Sequence, residues 1–121
     1  MGRGLRLEAE PSSVARARRF CEERLADWGA LHLVATTSLL VSELVTNVVL
    51  HARTPCELRL ERGMRLRVEV VDGSPQPPVV REVDQVAGSG RGLLLVQALS
   101  AESGTIVEPT GKRVWFELDW G

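Results

Sequence analysis

The stretch SELVTNVVLHA, residues 42–52, places Glu43, Asn47 and His51 four apart in otherwise largely apolar surroundings. On a helix this spacing stacks them along one stripe, about 6 Å apart per step. A carboxylate and an amide are costly to bury there unless each meets a partner. A carboxamide oxygen is a good hard ligand for Mg²⁺, and a nearby carboxylate can take a proton from a hydroxyl or water. The spacing alone is served as well by Glu43 bonding a neighbouring backbone group and Asn47 bonding a sheet. His51 continues the stripe, and is equally at home as a helix-end histidine in a favourable dipole contact.

Two further features carry chemistry. Asp72 follows Val70-Val71 at the end of an alternating segment and shares the parity of Val68 and Val70. It therefore faces the same layer as those valines, where a carboxylate can accept a hydrogen bond from an exocyclic amine such as that of adenine. Asp72-Gly73-Ser74-Pro75 also reads as a simple turn. The run GSGRGLLLV sets Gly88, Gly90 and Gly92 before a hydrophobic helix, offering bare amides and a helix N-terminus to an anion such as phosphate. Arg91 lies inside that loop, and suits a phosphate contact or a solvated position equally. The run matches neither GxxxxGK[ST] nor a strand–GxGxxG–helix unit.

The elements that must position these residues follow from periodicity. LRLEA at 5–9 alternates and predicts a short edge strand. Pro11-Ser12-Ser13 supplies helix-start chemistry, a serine hydroxyl capping the first amides. Val14, Ala17, Cys21, Leu25 and Trp28 then form an amphipathic stripe that Gly29 ends. Arg16, Arg18, Arg19 and Arg24 give this helix an Arg-rich exposed surface, either a solvated face or a docking surface. A second helix, from about Leu33 to His51, is apolar over much of its surface and is predicted to be the buried one. Beyond Pro55 the period becomes two, and residues 56–72 read as two strands turning at Arg62-Gly63. The segment SPQPPVVREVDQVAGSG is a loop, LLLVQALS a helix, and TIVE with RVWFELDW a second hairpin around Pro109–Lys112. The prediction is an α+β two-layer sandwich, a mostly antiparallel sheet covered on one face by helices.

Length and composition agree with one domain spanning 1–121. The chain has 121 residues, 44% hydrophobic and 26% charged, typical of a globular protein. Its net charge of −1 argues against a partner held by a basic phosphate-directed face, so no direct nucleic-acid binding is expected. No unbroken apolar run approaches the roughly 18 residues of a spanning helix, and the N-terminal residues lack a signal peptide's apolar core. A cytoplasmic protein without membrane association is the expectation. Cys21 and Cys56 lack CxxC spacing and are expected as buried thiols. The three tryptophans read as packing residues.

In this order, the Glu43–Asn47 helix, the strand-end Asp72 and the Gly88–Gly92 loop resemble the three nucleotide-binding boxes of the GHKL (Bergerat-fold) ATPases. From about Ser42 to Trp115 the chain is similar to the small kinase-like regulators that act as bacterial anti-sigma factors, and VWFEL at 114–118 looks like their last strand. The resemblance implies ATP with Mg²⁺ held by Asn47, Glu43 as general base and Asp72 on the adenine amine. It also implies phosphate contacts near Gly88, Gly90, Arg91 and Gly92. It implies serine/threonine phosphorylation of an anti-sigma factor antagonist, a sigma factor as second partner, and a homodimer as one open arrangement. A binding-only anti-sigma module and a detached ATP-binding domain of a histidine kinase are the alternatives. Two features depart from the family's pattern. The glycine expected two residues after Asp72 is displaced, and the lid from Ser74 to Gly88 is short and Pro-rich.

Overall fold

The computed structural model describes residues 4–74 and 91–121. The elements run β1 (Leu5–Leu7), α1 (Ser12–Asp27), α2 (Val34–Asn47), β2 (Cys56–Arg62), β3 (Leu66–Asp72), α3 (Arg91–Leu99), β4 (Glu102–Glu108) and β5 (Gly111–Leu118). All pairings in the single sheet are antiparallel, in the order β1-β2-β3-β5-β4. The predicted α+β architecture is the observed one. The loop predicted after Ser74 falls almost wholly on residues 75–90, outside the described residues.

Alternation decides which side chains meet the helices. Leu58 and Leu60 of β2, Leu66, Val68 and Val70 of β3, and Val114, Phe116 and Leu118 of β5 are buried in one core with Ala17, Cys21 and Leu25 of α1. Each such aliphatic or aromatic side chain, removed from water, contributes about 1.5–3 kcal/mol. Asp72 and Lys112 sit in the same helix-facing rows, paired across β3 and β5. The opposite face carries charge. Arg67 stacks on Trp115, 4.2 Å from the ring centroid, and bonds Glu69 at 2.8 Å and Glu117 at 3.1 Å.

The helices end where special backbone permits. Gly29, at φ 69°, closes α1, as its sequence position predicts. The start of α1 corrects the expected serine cap. Pro11 occupies the cap position without a side-chain bond, and the Ser13 hydroxyl donates back to the Glu8 carbonyl at 2.6 Å. Trp28 packs edge-on against Trp120, centroids 6.2 Å apart, and the Trp120 indole N–H donates to the Gly63 carbonyl at 2.8 Å. These contacts tie the end of α1 to the β2–β3 turn.

Residues 31–52 form a helical run of 22 residues that contains an 18-residue stretch of mean hydropathy 1.7, long and apolar enough to cross a membrane by length and composition alone. That corrects the expectation drawn from unbroken apolar runs, which overlooks a helix whose polar residues are mostly uncharged Thr, Ser and Asn. Leu40, Val41, Leu44, Val45 and Val48 are buried in the core, and both α1 and α3 pack on α2. This is the placement of a core helix.

Candidate functional site

The last residue of α2 is Asn47, and the chain continues from it as a π turn over Val48–Ala52. Such wide turns cluster at functional sites. The turn stops at Arg53, whose backbone is left-handed at φ 55°. Asn47 is only 9% exposed, and neither its amide nitrogen nor its oxygen has a hydrogen-bond partner among the described residues. An unmet polar group of this kind costs about 1–3 kcal/mol. A divalent cation or a polar ligand atom would repay it, and the carboxamide oxygen suits a hard ion such as Mg²⁺. Among the described residues no group of three or more His, Cys, Asp or Glu side chains could hold a metal, so Asn47 would act with ligand or water oxygens.

Glu43 lies one turn earlier on the same helix and is half-buried. His51 is exposed within the π turn that follows Asn47. Gly88 and Gly90 lie outside the described residues, as does the side chain of Arg91. The backbone of Arg91 and Gly92 opens α3.

Asp72 closes β3 between Cys56 of β2 and Lys112 of β5. Its side chain is 1% exposed. One carboxylate oxygen accepts the Ser74 N–H at 2.8 Å, and Oδ2 lies 2.8 Å from the Lys112 ammonium. The second approach is an ion contact rather than an aligned hydrogen bond, since Oδ2 lacks a well-directed donor. Thr54, just past the π turn, accepts the Gly73 N–H at 2.9 Å. That bond ties the segment following Asn47 to the strand end that carries Asp72.

Lys112 is the residue that sequence reasoning missed. It was placed in a turn, yet it is the second residue of β5, its side chain 8% exposed. Gly111 makes this possible, because a Cβ there would lie 2.1 Å from the Asp72 carbonyl oxygen. Two signals were available. Lys112 is the only lysine among 15 basic residues, and it shares the parity of Val114 and Phe116.

Fold and site define the class. A core helix bearing a buried carboxamide with no partner among the described residues lies over an antiparallel sheet, and the central strand ends in a buried carboxylate. The chain belongs to the histidine kinase-like ATPase domain family, whose model matches residues 7–118. Among solved structures, the chain is similar to that of the RsbU and RsbW domains of Rv1364c from Mycobacterium tuberculosis. The TM-score is 0.75 at 20% sequence identity, over 98% of this chain and 32% of that one. At that identity the likeness speaks for the fold. No curated protein matches the chain.

Proposed function

We infer that the protein is an anti-sigma regulatory factor that binds ATP and phosphorylates a serine or threonine on an antagonist protein. The observation that carries this reading is Asn47, a buried amide with neither end partnered among the described residues, on the core helix of a histidine kinase-like ATPase fold. Asn47 would hold Mg²⁺ through its carboxamide oxygen, and the ion would neutralise phosphate charge when bound. Glu43, one helical turn away, would accept the proton of the attacking hydroxyl. Asp72 is the acceptor for a base amine. A sigma factor and an antagonist would be the protein's partners and the cytoplasm its setting, as the resemblance of the three boxes implies.

A second reading, a binding-only module on the same fold, is favoured by one observation: Asp72 already has a cation against it. Incubation with Mg-ATP and a candidate antagonist, followed by phosphoserine detection, separates the two. Wild type is expected to transfer phosphate, while Glu43→Ala still binds nucleotide and loses about 10²–10⁴-fold in rate. Binding without transfer by wild type would select the module. Undiminished transfer by folded Glu43→Ala would remove the base from Glu43.

A further inference from the structure

The geometry points to Lys112 as the residue that sets nucleotide affinity and base selectivity, by capping Asp72 with an internal ammonium where an adenine amine would otherwise donate. The inference rests on the nucleotide-binding reading above. Its ground is the pairing of β3 with β5, which sets Asp72 directly across from Lys112. The ammonium stands 2.8 Å from Oδ2, and the side chains are 1% and 8% exposed. The other oxygen is taken by the Ser74 N–H. Both sides of the carboxylate therefore face donors that belong to the chain.

Charge decides the competition. A neutral exocyclic amine offers Asp72 a hydrogen bond, whereas Lys112 offers a full positive charge in a site shielded from water. A base that reaches Oδ2 must displace the ammonium or share the oxygen with it, and the displaced lysine must be accommodated elsewhere. Residue choice fits this role. Every other basic residue of the chain is arginine. The one lysine stands at the buried position facing Asp72, where its ammonium is a compact point charge on a flexible stem. Gly111, held against the Asp72 carbonyl, fixes the register that brings the two together. Lys112 acts on the ligand through Asp72 and is a positioning residue. In wild type a base gains little at Asp72, because it reaches Oδ2 only by displacing or sharing with the ammonium.

The test is calorimetry of the full chain with Mg-ATP and Mg-GTP, in wild type and Lys112→Thr. Threonine suits a strand, removes the charge and leaves room for water to hydrate Asp72. Lys112→Thr is expected to bind Mg-ATP about ten- to a hundredfold more tightly, the span that a hydrogen bond to a charged group provides. Mg-GTP, which has a carbonyl where adenine has its amine, should not gain, so a preference for ATP emerges in the variant. Equal or weaker ATP binding by folded Lys112→Thr overturns the cap and leaves the nucleotide reading standing. Absence of binding to both folded proteins overturns that reading, and the cap with it. Wild type offers a measurement that needs no variant, because ¹⁵N-lysine labelling yields a single side-chain ammonium signal. That signal is expected to be protected from exchange without nucleotide and to shift or vanish as Mg-ATP binds. An ammonium signal unmoved at calorimetric saturation overturns the proposal.

Discussion

At the scale of single residues, burial in this protein is paid for unevenly. Asp72 and Lys112 neutralise each other, whereas the Asn47 amide has no partner among the described residues. Removing one member of a buried ion pair costs about 3–5 kcal/mol, so Asp72→Ala reports on folding as much as on binding. The cysteines show burial as the leading influence. Desolvation, with a smaller contribution from Glu22, pushes the Cys21 thiol up to about 12. Desolvation, then Asp72 and Glu8, pushes Cys56 up to about 11, against an ordinary 9.0 for both. The unfolded chain therefore loses these thiol protons first. The stability that comes from keeping them neutral is complete below the unfolded value and drains away as pH rises through the folded values. Urea midpoints measured from neutral to about pH 10 should fall on the alkaline side, and fall less steeply in Cys21→Ala. Identical alkaline slopes in the two proteins would place the source elsewhere. Asn47 and Asp72 were legible in the sequence because helix period and strand parity orient a side chain from its own segment. Lys112 was not, because a cross-strand partner depends on register between segments far apart in the chain.

At the scale of elements, two glycines show how differently local backbone can be specified. Gly29 has a positive φ of 69° with nothing near a would-be Cβ, so only its conformation is special. Gly111 is held by contact, its missing Cβ aimed at the Asp72 carbonyl oxygen 2.1 Å away. Gly29→Ala should cost about 1–2 kcal/mol, the strain of a left-handed residue. Gly111→Ala cannot be accommodated unless β5 shifts off β3, which adds a packing cost of about 1–3 kcal/mol and carries Lys112 away from Asp72. Denaturant unfolding of both variants checks the order, and a Gly111→Ala protein as stable as Gly29→Ala would mean that the strand start is soft. The sequence announced Gly29 through the end of an apolar stripe. It offered nothing comparable for Gly111, which looked like turn glycine until the hairpin was shown to tighten at Pro109-Thr110. The π turn after Asn47 was equally hidden, since VVLHA suits an α-helix and its widening is a property of how the helix end meets its surroundings. Ser13 kept its hydroxyl bonded, but to Glu8 rather than to the helix start, because Pro11 already held the cap position.

At the scale of the whole molecule, charge is distributed by face. On the open face of the sheet, Arg59, Arg67 and Arg113 surround Glu69, while Arg65 reaches Glu102, Glu117 and Asp119. Helix α1 differs. Arg16, Arg18 and Arg19 are exposed and have no ion pair among the described residues, although Glu22 and Glu23 follow on the same helix. Arg24 is set apart by lying over the Phe20 ring, 5.0 Å from its centroid. Unpaired guanidinium groups on a rigid helix are suited to bidentate contacts with carboxylates of a partner protein. With a net charge of only −1 on the chain, such a patch is a local attraction rather than a general one. Reversal of Arg16 and Arg19 to Glu is therefore expected to slow association with the proposed antagonist or sigma factor and to flatten its salt dependence. Nucleotide affinity should not change, since Arg16 and Arg19 are exposed whereas Asn47 and Asp72 are buried. Surface plasmon resonance at two salt concentrations, with a partner identified by the phosphotransfer assay, reads both effects. A charge-reversed protein that associates at the wild-type rate, with the wild-type salt slope, would clear α1 of any part in docking.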